Sequence, residues 1–351
     1  MAAIRLQAAT AAVMLALTAC AGKTAPQQTA MAPTPPAAVA PTTPAALPVV
    51  PAQPFETWLQ EFRAEALGKG IGERTVVAAL TGIQPIPRVI ELDRKQPETT
   101  LSWEQYFQRI VSDERAARGR QRLQANKAML REIGSQYGVD PRFVVALWGI
   151  ETNYGAITGG FQTVPALATL AWEGRRANYF RGELLNALQI VDQGHVLPER
   201  MVGSWAGALG QVQFMPSSFL RFAQDWNGDG RRDIWTTEAD AWASAANYLA
   251  RSGWKADEGW GFAVSLPDGF DASLIGPEAG TRGWAQWQKL GVKAAAPPSA
   301  GVPANLALIG ANGGQGPFFL VGDNFRTIMK WNRSTYFALA VGHLADRIGS
   351  P

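Results

Sequence analysis

The chain has 351 residues, 47% of them hydrophobic and 17% charged, with 13 tryptophans and a formal net charge of +3. That is apolar material for a sizeable core in one large domain or a few subdomains, and a mild basic excess without a Lys/Arg run offers no footprint for nucleic acid. One cysteine (Cys20) and two histidines (His195, His343) exclude an intrachain disulfide and a Cys/His zinc site.

The chain opens on "MAAIRLQAATAAVMLALTAC", one early Arg5 followed by an apolar run that ends in small residues. This is the layout of a secretory signal and is too short for a membrane span. Its last four residues, "LTAC", resemble the lipobox of bacterial lipoproteins, which implies cleavage before Cys20 and acylation of its thiol. An ordinary signal peptide with an incidental cysteine is the alternative. Ala21 follows Cys20 rather than Asp, which by the enterobacterial pattern points to the outer membrane. Residues 24–54 then hold nine of the 23 prolines. Such a segment cannot bury a core and is expected to act as an extended tether, reaching on the order of 100 Å at about 3.1 Å per residue.

From Phe55 the pattern is helical. "FETWLQEFRAEAL" and "ERTVVAAL" read as short helices, and a charged, proline-free stretch from about Ser102 to Tyr137 reads as one long helix. Asp140-Pro141 supplies an N-cap and a first-position proline for the next helix, which Gly155 is placed to end. Further helices are expected at about 182–195, 216–226, 237–252 and 335–348, with Pro216 and Gly253 as a start and a stop. Residues 256–324 are rich in Gly and Pro and carry short β-type runs, "FAVSL", "NLALIG" and "FFLVG", so a small β-containing insertion is expected there.

No G-x-S-x-G, P-loop or G-x-G-x-x-G motif occurs, which leaves catalysis to carboxylates. In "VVALWGIETNYG", Glu151 shares a helical stripe with Val144, Leu147 and Trp148. An acid on an apolar stripe is desolvated, and the negative end of the helix dipole disfavours its ionisation further. Both effects keep it protonated near neutral pH, as suits an acid that protonates a leaving-group oxygen. A buried Glu paired with an arginine for structural reasons is the alternative. A hydrolase would need a second carboxylate at a set distance. Glu173, Glu183 and Asp192, the nearest in sequence, read instead as solvated surface charges.

The succession "GIETNYG", "AWEGRRANYF", "SWAGALGQVQFMPSSF", "DWNGDGRRDIW" and "NFRTIMKWNRSTYFALAVGHL" resembles the membrane-bound lytic murein transglycosylase B family from about residue 55 to the C-terminus. The resemblance implies a mainly α fold: a lysozyme-like helical core with an added α domain and a small β-containing insertion. The chain then divides into a signal peptide (1–19), lipidated Cys20 and tether (20–54), α domain (55–125), catalytic core (126–255), insertion (256–324) and C-terminal part of the core (325–351). It further implies cleavage of the MurNAc–GlcNAc bond of peptidoglycan with formation of 1,6-anhydromuramic acid, Glu151 being the sole catalytic carboxylate.

By the same resemblance Ser204 and Gln213 line the cleft, Arg175 and Arg176 contact substrate, and Asn332 is a cleft residue. From the residues alone, Ser204 could equally be a helix N-cap and the arginines a plain surface pair. The family's tyrosines around Asn332 are replaced by Trp331 and Phe337, expected to keep a stacking face and lose hydroxyls. "DWNGDGRRD" fits the opening of an EF-hand loop, with Asp225, Asn227, Asp229 and the Arg231 carbonyl as oxygen donors for a structural Ca²⁺. Thr236 stands where that loop ends in Glu. The resemblance suggests Asp240 as the closing acid, with Glu238 as substitute; an Asx-turn loop without metal is the alternative.

The sequence therefore predicts a lipid-anchored periplasmic lytic transglycosylase. Its expected partners are peptidoglycan strands, the membrane through its lipid and cell-wall synthesis proteins, though which of these last the sequence does not say. A hydrolytic muramidase and a non-catalytic peptidoglycan-binding lipoprotein are the alternatives.

Overall fold

The computed structural model describes residues 51–95, 101–296 and 301–350. The signal sequence, Cys20 and the tether up to residue 50 lie outside the described residues. The described residues belong to one compact unit, and the fourteen α-helices among them make it mainly α.

Its centre is the helix Pro141–Thr152. Asp140 caps it by accepting from the Arg142 amide at 3.0 Å, and Pro141 fills the first position. Sequence periodicity suggests one buried stripe, yet every residue from Arg142 to Gly149 is buried. The helix is a rod enclosed on all sides, packed by Asp113–Ala125, Lys127–Tyr137, Glu238–Arg251 and Thr335–Gly349. It stops at Thr152, earlier than Gly155 suggests, because Asn153 (φ 51°), Tyr154 (φ 61°) and Gly155 (φ 79°) are all left-handed. That turn swings the Tyr154 ring back against Trp148, at 5.5 Å between centroids, and its hydroxyl donates to the Arg115 carbonyl at 2.7 Å. A Cβ at Gly149 would lie 2.6 Å from that ring, so the close approach requires glycine.

The stretch expected as one helix is three: Trp103–Ile110, Asp113–Ala125 and Lys127–Tyr137. No proline breaks it. The first two helices start at serine caps, Ser102 accepting from the Gln105 amide and Ser112 from the Arg115 amide. A serine hydroxyl that takes the amide three residues on offers the backbone a cap in place of a helical bond, which favours a new start there. Phe55–Gly68 and Glu73–Leu80 form where expected. The later helices fall at Ala177–Asp192, Pro216–Phe222, Glu238–Arg251 and Thr335–Gly349, and four more lie at Pro87–Arg94, Thr163–Glu173, Trp284–Lys289 and Asp323–Trp331.

The β-containing segment is a four-stranded antiparallel sheet. Lys293–Ala294 pairs with Gly261–Ser265, which pairs with Gln315–Val321, which pairs with Ala307–Asn312. It has a small core of its own, built on Phe262, Val264, Trp287, Leu306, Leu308 and Leu320.

Two acids expected at the surface are buried. Glu173 (2% exposed) accepts from Arg94, and Glu183 (5% exposed) accepts from both the amide and the hydroxyl of Ser217. Each ties one helix to another, so their burial is compensated by hydrogen bonds. Asp192 is exposed and accepts from the Gly72 amide and the Thr75 hydroxyl.

Candidate active site

Glu151 sits in the last turn of the central helix, where the rod reaches the surface and its side chain is half-buried. Its Oε1 accepts from Trp331 Nε1 at 2.8 Å. Burial pushes the carboxyl from an ordinary 4.5 up to about 7, opposed by the indole N–H, which favours the ionised form. Among the described residues no arginine pairs with Glu151, so the structural ion pair left open by the sequence is not formed there.

Trp331 ends the helix Asp323–Trp331. Its ring is fixed edge-on to Tyr248, at 4.7 Å between centroids, and tilted against Phe214 at 5.2 Å. Across the site stands an aromatic wall. Tyr106, whose phenol is raised by burial and then by the charge of Glu151, packs against Tyr336 at 5.5 Å. The Tyr336 hydroxyl and the Trp103 amide both donate to Asn312 Oδ1, at 2.8 and 3.0 Å.

The segment "SWAGALGQVQF" is fastened to the end of the central helix by Gln211. Its Oε1 accepts from Trp148 Nε1 at 2.9 Å, and its carbonyl accepts from the Thr152 hydroxyl at 2.7 Å. Gln211 escapes sequence reasoning, because a glutamine two residues before Gln213 carries no separate signal. Ser204 is no helix cap. It closes a turn in which its Oγ accepts from the Ala208 amide at 3.0 Å. The short pairing of Phe161–Gln162 with Val202–Gly203 leads into this turn. Gln213 holds a left-handed backbone (φ 49°), and its Nε2 donates to the carbonyls of Thr158 and Gly210.

Asn332 is exposed beside Trp331, its Oδ1 accepting from the Ser334 amide. Phe337 is 5% exposed and belongs to the core. Of the two residues expected to give a stacking face, Phe337 therefore offers none, because it points inward in the first turn of Thr335–Gly349, while Trp331 and Tyr336 are half-buried. Arg175 and Arg176 are not joined to Glu151. Both bond to Asp93, Arg175 through two nitrogens at 2.6 Å and Arg176 at 2.7 Å, and Asp93 is 2% exposed. Burial raises the Asp93 carboxyl, but the two guanidinium groups outweigh it and hold the acid below its usual range.

The acidic loop wraps around Asp225, which accepts from the amides of Gly228, Asp229 and Gly230. Asn227 and Asp229 accept from the amides of Asp229 and Arg231. Asp240 closes the loop from below. It is fully buried and accepts from the amides of Trp226 and Asp233, both at 2.8 Å. Burial, and then the charge of Asp225, raises its carboxyl. Glu238 turns away to Arg122, at 3.8 Å. Among the described residues no three His, Cys, Asp or Glu side chains converge as a metal cluster. The loop's donors instead include a carboxamide and a carbonyl, the mixed hard-oxygen set that suits calcium.

Residues 54–346 match the family model described as a transglycosylase SLT domain. The chain is 30% identical over 306 residues to the membrane-bound lytic murein transglycosylase B of Escherichia coli (strain K12), covering 82% of each. It is 44% identical to SltB3 of Pseudomonas aeruginosa, solved in complex with NAG-NAM-pentapeptide. That superposition has a TM-score of 0.81 and covers 86% of this chain and 81% of the other. The Escherichia coli lytic transglycosylase Slt35, solved in complex with calcium, is 29% identical with a TM-score of 0.68, covering 83% of this chain and 92% of that one. The chain belongs to the transglycosylase SLT domain family and is an enzyme of the lytic transglycosylase class.

Proposed function

We propose that the protein cleaves the β-1,4 bond between N-acetylmuramic acid and N-acetylglucosamine of peptidoglycan without water, Glu151 being its one acid–base group. The Glu151 carboxyl carries this reading: burial keeps it protonated near neutral pH, and an indole N–H orients it. Glu151 gives its proton to the glycosidic oxygen as the bond from C1 to that oxygen breaks. The muramic 6-hydroxyl oxygen then bonds to C1, and its proton returns to the Glu151 carboxylate. Proximity of the sugar's own hydroxyl replaces an activated water. A hydrolase needs a second carboxylate, but Glu173, Glu183 and Asp192 are each engaged elsewhere.

Mass analysis of products from purified sacculi in H₂¹⁸O tests the reaction. Anhydro-ended muropeptides without ¹⁸O are expected. Reducing ends carrying ¹⁸O would make it a hydrolase.

Ser204, Gln213 and Asn332 are assigned to sugar contacts, supported by the attachment of their segments to the Glu151 helix and to Trp331. Arg175 and Arg176 are assigned to more distant substrate contacts, since each side chain stays 40% exposed while bound to Asp93. Calcium takes a structural role with Asp225, Asn227, Asp229, the Arg231 carbonyl and Asp240. The fit of the oxygen donors supports it, and no catalytic step passes through it. Among the described residues no helix is long and apolar enough to cross a membrane. The leader and its "LTAC" support a lipid on Cys20, which anchors the enzyme in the periplasm at the outer membrane.

A further inference from the structure

Behind Trp331 lies a cavity of about 400 Å³ whose wall includes Ser217, Arg221, Phe222, Tyr248, Arg251 and Lys330. Arg221 and Arg251 both stand over the Phe222 ring, at 5.0 and 5.5 Å from its centroid. Arg251 Nη1 donates to the Arg221 carbonyl at 2.7 Å, and Lys330 Nζ donates to the Ser252 carbonyl at 2.6 Å. Among the described residues none of these three cations is ion-paired with a carboxylate. Glu183, buried behind Ser217, accepts from that residue with both of its oxygens. Three like charges thus line one cavity, held by carbonyls and one ring and without a carboxylate partner among the described residues. Such a cluster of cations attracts an anion to the cavity. Two planar guanidinium groups at one ring suit a carboxylate better than a lone ammonium would.

The cavity also shares a wall with the active site. Tyr248 lines it, and the charge of Arg221 acts on its phenol. The Tyr248 hydroxyl donates to the Lys330 carbonyl at 2.7 Å, and its ring packs edge-on against Trp331, which holds Glu151. Lys330 and Trp331 are consecutive residues, so cavity and acid lie on two sides of one aromatic layer.

We infer that this basic cavity is a subsite for a carboxylate on the peptide that a peptidoglycan strand carries, placed beside the sugar that Glu151 acts on. The inference rests on the reading of the protein as a lytic transglycosylase. Arg221 and Arg251 are exposed, and replacing them removes charge without opening the core. The test compares wild type with an Arg221→Gln/Arg251→Gln double variant on peptide-bearing strands and on the same strands stripped of peptides by an amidase. KM for peptide-bearing strands should rise about tenfold or more, the scale of losing charge-assisted hydrogen bonds. On stripped strands kcat/KM should stay within about twofold, which also shows that the variant folds. An equal loss on both substrates, or no loss on either, overturns the proposal. So does saturable binding of inorganic phosphate that disappears in the variant while discrimination between the two substrates is unchanged, since the cavity is then a phosphate site. A wild type that releases no anhydro products from peptide-bearing strands removes the functional reading, and this inference with it.

Discussion

Replacing Glu151 with Gln should remove activity and stabilise the fold, and the stability gain should depend on pH in one direction only. In the folded protein the carboxyl titrates at about 7 against an ordinary 4.5. The folded state therefore binds more protons than the unfolded state between those two values, and stability falls as pH rises through that window. At about 1.36 kcal/mol for each tenfold change in proton affinity the penalty approaches about 3 kcal/mol, and partial exposure of the carboxyl reduces it to about 2. Gln keeps an oxygen to accept from Trp331 Nε1 and never ionises, so it avoids the penalty. The variant should match wild type near pH 4.5 and exceed it by about 2 kcal/mol near pH 8, roughly 4–8 °C in Tm. Denaturant melts at both pH values read this directly. Cleavage should fall by at least the 10²–10⁴-fold expected for one acid–base group, approaching inactivity because the same residue serves both steps. Equal stability differences at the two pH values, or a variant less stable at pH 8, would refute the claim that burial holds the acid protonated. Wild-type activity in the variant would remove Glu151 from the mechanism.

Other expectations follow from the same geometry. Trp331→Phe removes the donor that favours the ionised carboxylate, so the Glu151 pKa should rise. The alkaline limb of kcat/KM, set by loss of the Glu151 proton near pH 7 in the wild type, should then move to higher pH; an unmoved limb would show that the indole does not tune the acid. Asp225→Ala with Asp229→Ala should abolish a calcium-dependent rise in Tm. A native-state ligand at about 100 times its Kd is worth about 2.7 kcal/mol, and a wild type indifferent to chelation would mean that no calcium binds there. Cys20→Ser should release the protein from membrane fractions while leaving cleavage of isolated peptidoglycan intact, and unchanged fractionation would exclude the lipid as the main anchor.

What was legible in the sequence was local. Asp140-Pro141 announces its helix because a cap and a fixed φ act within two residues, and Glu151 stands out because an acid among apolar residues conflicts with its surroundings. Asp225, Asn227 and Asp229 recur at a spacing that only a loop folding on itself can use. The misread features depend on partners distant in the chain. Glu173 and Glu183 look like surface charges until Arg94 and Ser217 arrive. Ser112 is the exception, a local feature misread because a serine three residues before its amide partner serves equally inside a helix or at its cap.

Trp331 illustrates the same limit at the site itself. Composition places it among 13 tryptophans, most of which serve the core, and 180 residues separate it from Glu151. Only the fold shows that its indole N–H faces the carboxylate. The proton affinity of the acid therefore has two origins of opposite sign. Burial at the end of an enclosed helix raises it and is local enough to read from sequence, while one hydrogen bond from a distant helix lowers it and is not. Burial is the larger of the two, so a reading that placed Trp331 at the cleft but missed its hydrogen bond still reached a protonated acid. Had the hydrogen bond been the stronger, the same sequence argument would have assigned Glu151 the wrong charge.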